Sequence, residues 1–230
     1  VWRRSLRCCP SFLRPHEADR SVCPADPSHD SGRARNIDLG LRGDGAREMH
    51  ELILGGARSG KSRCAEQRAA AWLATPARSA LLIATATAGD DEMAERIRRH
   101  RADRALRVPR LATLEEPLAV PEAIARHSAA ERLLVVDCLT LWMTHLHMPL
   151  HGAPRVDADV REAALVEALA VARGPVVLVG NEIGLGVLPM SPEARQFVDA
   201  LGRLHQRLAA VCGRVTLMVA GLEMPLKGAR

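Results

Sequence analysis

One octapeptide constrains this chain more than any other feature. Gly55-Gly56-Ala57-Arg58-Ser59-Gly60-Lys61-Ser62 satisfies the G-x-x-x-x-G-K-[ST] pattern of a phosphate-binding loop. It stands directly after a short apolar run, residues 51–54, and directly before a segment in which Ala65, Ala69 and Trp72 fall at helical spacing. The pattern therefore predicts a strand, a tight turn and a helix in succession. Glycines at the turn let backbone N–H groups point inward without Cβ clashes, forming a nest for phosphate oxygens at a helix N-terminus. Lys61 is placed to reach the terminal phosphates of ATP or GTP, and the Ser62 hydroxyl to sit on Mg²⁺.

Beyond this loop the chain keeps alternating between two patterns. Residues 80–86, 133–136, 175–179 and 215–220 are further apolar runs of strand length, continuous rather than alternating, as expected of strands buried on both faces. Between them, Met93, Ile97 and His100 recur at helical spacing, as do Leu165, Leu169 and Ala172, and Phe197, Leu201, Leu204 and Leu208. Strand alternating with helix predicts an α/β fold of the P-loop NTPase type, a mainly parallel sheet with helices on both faces. Asp137 closes the run 133–136 and is the expected acid for a metal beside the loop; an Asp that merely opens a turn is the alternative. Asn181-Glu182 ends another run, at the sheet edge where ligands bind, without an assignable role.

Composition excludes more than it proposes. Hydrophobic residues make up 47% and charged residues 26%, enough for a core. Aromatics are 2% with no Tyr, so a nucleic-acid stacking surface has little to be built from. The net charge of +5 gives a mildly basic surface suited to anionic nucleotides. The six cysteines show no CxxC and no zinc spacing, and those at 64, 138 and 212 lie in apolar segments, which predicts buried free thiols in a reducing cytoplasm. No apolar run approaches the roughly 18 residues of a membrane span, so stable membrane insertion is not expected. Residues 1–48 carry nine basic and seven acidic side chains without periodicity. They read as a disordered extension upstream of a start at Met49, leaving residues 49–230 as the catalytic domain.

Five strings narrow the reading: GGARSGKSRCAEQ (55–67), IATATAGDDEMAERIRRHRADR (83–104), TLEEP (113–117), VVDCLTLW (135–142) and GNEIGLGVLP (180–189). In this order and spacing, from Met49 to Ala220, the chain resembles the bifunctional adenosylcobinamide kinase/adenosylcobinamide-phosphate guanylyltransferases of cobalamin biosynthesis. The resemblance implies a transferase with two reactions. A nucleoside triphosphate phosphorylates the hydroxyl of adenosylcobinamide, and GTP then donates GMP to that phosphate through a guanylylated histidine. His100 is the histidine this implies. Some relatives carry a second, preceding histidine where this chain has Arg99. The chemistry is sound, because a neutral imidazole is a good nucleophile near pH 7 and surrounding arginines can neutralise phosphate charge. A histidine packed with Met93 and Ile97 is the competing account.

By the same resemblance Ile83, Ala84 and Thr85, then Arg101, Ala102 and Asp103 beside His100, line the nucleotide site. Glu115 contacts guanine or ribose, although an acid opening a helix would look the same locally. The resemblance also implies a homotrimer. Two other functions share the loop: a plain small-molecule kinase in which His100 is inert, and a non-catalytic nucleotide switch that senses phosphate through Asn181-Glu182.

Overall fold

The computed structural model describes residues 49–149 and 156–228; the extension before Met49 lies outside the described residues. Seven strands form one sheet in the order β3-β2-β4-β5-β1-β6-β7. They are β1 (Glu51–Gly55), β2 (Ser79–Ala84), β3 (Leu111–Glu115), β4 (Arg132–Asp137), β5 (Val176–Asn181), β6 (Arg214–Val219) and β7 (Leu222–Lys227). All neighbouring pairs are parallel except β6 with β7. The helices are α1 (Lys61–Leu73), α2 (Asp91–Arg107), α3 (Val120–His127), α4 (Leu139–His147), α5 (Ala158–Ala170) and α6 (Pro192–Val211).

The continuous apolar runs become strands whose successive residues enter two different cores. Leu52, Leu54, Leu134, Val136, Val176 and Leu178 pack with α3, α4, α5 and α6. Ile53, Leu133, Val135, Val177 and Val179 pack instead with Cys64, Ala65, Ala69 and Leu73 of α1. That two-residue alternation between faces is the physical reason the runs show no polar positions. Strand β1, wholly buried, lies between β5 and β6, in register Gly55 to Asn181 on one side and to Met218 on the other. The phosphate loop thus leaves the sheet near its centre, at the carboxyl edge.

Two strands and two helices were not legible as apolar runs. Strand β3 exposes most of its residues, and β7 is an edge strand that tolerates Pro225 and bares Leu222, Met224 and Leu226. Cys64, Cys138 and Cys212 are free and buried, as their apolar settings imply.

Candidate functional site

The loop between β1 and α1 is shaped by two glycines. Gly60 has φ +101°, a left-handed conformation that L side chains rarely adopt, and it caps α1 without any side-chain hydrogen bond. At Gly55 (φ +153°) a Cβ would stand 2.5 Å from the Met218 carbonyl and 2.6 Å from Ser59 Oγ. The first-turn N–H groups of α1 are left to a ligand, and Ser59 Oγ is buried with no hydrogen-bond partner. Lys61 Nζ folds back to donate to the Gly56 carbonyl at 2.6 Å. Burial pushes the Lys61 ammonium below its ordinary value and Arg96 adds to this, against the pull of Cys138 and Asp137. An anion at the loop would relieve this cost directly.

Asp137 ends β4 and pairs with Ala84 of β2 and Val179 of β5. Burial holds its carboxyl above the ordinary range, opposed by a Ser62 hydrogen bond and by the charges of His100, Lys61 and Arg104. Four side chains from two helices therefore act on one carboxylate. Ser62 and the Asp137 carboxylate itself offer the hard oxygen donors Mg²⁺ takes. Among the described residues no group of three or more His, Cys, Asp or Glu side chains is gathered to hold a metal alone. The protein thus provides a partial oxygen shell, the kind that nucleotide phosphates complete.

Helix α2 brings His100 to this place by an unusual route. Asp90 caps it by accepting the Met93 N–H at 2.7 Å, acids fill its first turn and Arg104 and Arg107 its last, which suits the helix dipole. None of its residues is buried. His100 is exposed, so the account of it as a packing histidine fails: Met93 and Ile97 are only half-buried and build no core around it. The helix is held by polar ties instead. Arg101 pairs with Glu115, Arg104 Nη2 donates to Thr113 Oγ1 at 3.2 Å, and Arg107 Nε donates to Glu66 Oε2 at 2.7 Å. Arg96, His100 and Arg104, spaced four apart, form one face, and all three act electrostatically on Lys61 or Asp137. Sequence reading passed over Arg96 and Arg104, although that spacing around His100 was the available signal.

The remaining expected residues divide. Glu115 is the last residue of β3, beside Ala84 and paired with Arg101, and not an acid opening a helix. Ile83 is fully buried in the core, and Ala84 is half-buried at the strand end. Thr85 is fully buried with its hydroxyl committed: it accepts the Cys138 N–H and donates to the Cys138 carbonyl, both at 2.8 Å. Its side chain ties β2 to the end of β4, leaving only its neighbourhood to a ligand. Ala102 and Asp103 are exposed or nearly so on α2, with Asp103 paired to Arg107.

A parallel sheet, a glycine loop opening a central helix and an acid at the end of a nearby strand define a P-loop nucleotide-binding α/β protein. The family described as cobinamide kinase / cobinamide phosphate guanyltransferase matches residues 51–226, and the chain belongs to it. It is 50% identical over 180 residues to the bifunctional adenosylcobalamin biosynthesis protein CobP of Pseudomonas aeruginosa, covering 78% of this chain and 98% of that protein. It is 37% identical over 189 residues to the bifunctional adenosylcobalamin biosynthesis protein CobU of Salmonella typhimurium, covering 78% and 100%. Among solved structures, the flagellar accessory protein FlaH from Methanocaldococcus jannaschii aligns over 78% of each chain at TM-score 0.46 and 14% identity. Among the described residues no helix is long and apolar enough to cross a membrane.

Proposed function

We propose that this protein phosphorylates adenosylcobinamide with ATP or GTP and then transfers GMP from GTP, through guanylylated His100, to give adenosylcobinamide-GDP. The observation that carries the reading is the cationic face of α2. It sets His100 between Arg96 and Arg104, and both arginines and the histidine act on the Lys61–Asp137 pair at the phosphate loop. A nucleophilic imidazole beside a triphosphate site needs that arrangement: donors for the phosphate oxygens on both sides, and solvent exposure for a second substrate to enter.

Residues 55–62 would cradle the phosphates, and Lys61 would leave the Gly56 carbonyl for a terminal phosphate oxygen. Ser62 and Asp137 would hold Mg²⁺, which when bound supplies charge neutralisation on the phosphates. Glu115, aimed by Arg101, is the group for guanine or ribose, with Ala84 and the 101–103 segment beside it. For guanylyl transfer, His100 attacks the α-phosphorus of GTP, pyrophosphate departs, and the GMP passes to the corrinoid phosphate. We also assign the catalytic unit to residues 49–230 in the cytoplasm, and a homotrimer in which the exposed apolar edge of β7 is covered; sedimentation tests the latter.

Incubation with α-labelled GTP and Mg²⁺, without acceptor, tests the central claim. The expected result is label retained on His100 as an acid-labile, base-stable phosphoramidate. Label on another residue moves the nucleophile; no label at all makes the protein a plain kinase.

A further inference from the structure

At the carboxyl end of β5, beside the phosphate loop, stands a second ionisable pair. The Glu182 N–H donates to the Gly55 carbonyl at 2.9 Å, tying this residue to the first residue of the loop. Its Oε1 accepts the Gly184 N–H at 2.8 Å, and its Oε2 lies 3.6 Å from His205 Nδ1. His205 comes from α6, where Leu201, Leu204 and Leu208 form the core stripe. It is only 6% exposed, and neither ring nitrogen has a hydrogen-bond partner. A leucine there would fill the space without orphaned polar atoms, so packing alone does not account for an imidazole.

The surrounding backbone is shaped around the pair. A Cβ on Gly180 would stand 2.8 Å from His205 Nε2, and one on Gly184 would stand 3.1 Å from Glu182 Oε1. The side chain of Glu182 is 23% exposed and that of His205 only 7%. One carboxylate is thus partly open at the carboxyl edge of the sheet while a core imidazole backs it. Burial pushes the His205 imidazole below its ordinary value, against Glu182, so it is neutral at pH 7 and has one N–H to offer the carboxylate.

We propose that Glu182 is the base that takes the proton from the acceptor hydroxyl during phosphoryl transfer, with His205 as the positioning residue that aims its carboxylate. This rests on the kinase reading above. In the step, the acceptor O–H bond breaks and its proton passes to Glu182. The freed oxygen bonds to the γ-phosphorus, the bond from that phosphorus to the β–γ bridging oxygen breaks, and the electron pair leaves with the nucleoside diphosphate. Formation of guanylyl-His100 has no hydroxyl proton to remove, so it does not call on Glu182.

The full chain carrying Glu182→Gln provides the test, with γ-labelled nucleotide and cobinamide in one assay and α-labelled GTP without acceptor in the other. Phosphorylation is expected to fall about a hundredfold or more through kcat, with the nucleotide KM little changed and guanylyl-enzyme formation falling far less. His205→Gln should lower kcat about tenfold without raising either KM, as a misaimed base would. Glu182→Asp, which keeps a carboxylate, should recover part of the loss. Phosphorylation at the wild-type rate in Glu182→Gln overturns the proposal. So does an equal loss in both assays, which would make Glu182 part of the shared triphosphate site. Wild-type protein that labels no cobinamide overturns the kinase reading itself, and the base assignment with it.

Discussion

Helices α1 and α2 both serve the phosphate site, and they are held by different forces. In α1, Lys61, Cys64, Ala65, Glu66, Ala69 and Leu73 are buried against the sheet. In the longer α2 nothing is buried, and its ties are arginines reaching Glu115, Thr113 and Glu66. Full burial of one leucine-sized side chain is worth about 1.5–3 kcal/mol, whereas an exposed ion pair is worth about 1 kcal/mol at most. The phosphate loop is therefore fixed by core packing that salt and substrate do not disturb. The His100 helix rests on ties that substrate charge can compete with. The contrast would suit the proposed chemistry, in which one triphosphate pocket stays in place while His100 meets two partners in turn.

The largest effect is expected at the firmly packed phosphate loop. Lys61→Ala should reduce both phosphorylation and guanylyl transfer by at least about a hundredfold, because a single loop serves both. Steady-state turnover with each acceptor decides it, and a variant that keeps near-normal kinase turnover would show that the phosphate site lies elsewhere.

On the side of α2, His100→Asn should abolish labelled guanylyl-enzyme and lower GMP transfer by about a hundredfold or more, while phosphorylation falls much less. If both activities drop together, α2 is as integral to the phosphate pocket as α1.

A smaller effect is expected at the joint between the two helices. Glu66→Gln removes the tie of Arg107 to α1, leaving it only Asp103 on its own helix, and should slow formation of the guanylyl-enzyme by about tenfold, somewhat more than an exposed pair would cost because Glu66 is buried. The ties of α2 are screenable, so in wild type the same step should weaken with rising ionic strength more than phosphorylation does. Parallel rate measurements at low and high salt would sharpen or dissolve the distinction.

The smallest effect concerns the scaffold. His50 accepts the Val176 N–H at Nδ1, 3.2 Å away, so its Nε2 carries the proton and donates to the Leu169 carbonyl at 3.0 Å. Burial lowers the proton affinity of both His50 and His205 from the ordinary value of 6.5. With folded values depressed, the unfolded chain takes up protons first as pH falls. The stability these two imidazoles contribute is complete above about 6.5 and is lost as pH falls below it. Urea midpoints between pH 7.5 and pH 5 measure this; a flat profile would mean that both imidazoles protonate freely in the fold.

What could be read from sequence was what depends on neighbouring residues. The loop of residues 55–62 was legible because its turn, its glycines and its helix start are consecutive, and β1, β2, β4, β5 and β6 because strands buried on both faces must be continuously apolar. Asp137 was legible as the residue at which such a run stops. Edge strands β3 and β7 were not, since partial exposure removes that signal, and β3 placed Glu115 at a strand end rather than a helix start. The tertiary structure alone decided which distant side chains meet. It set Arg96, His100 and Arg104 on one face toward Lys61 and Asp137, and it committed the Thr85 hydroxyl to Cys138. It also brought His205 of α6 against Glu182 of the loop after β5. Helical spacing names the residues on a face, but the direction in which that face points follows from the sheet order β3-β2-β4-β5-β1 and the crossovers that build it.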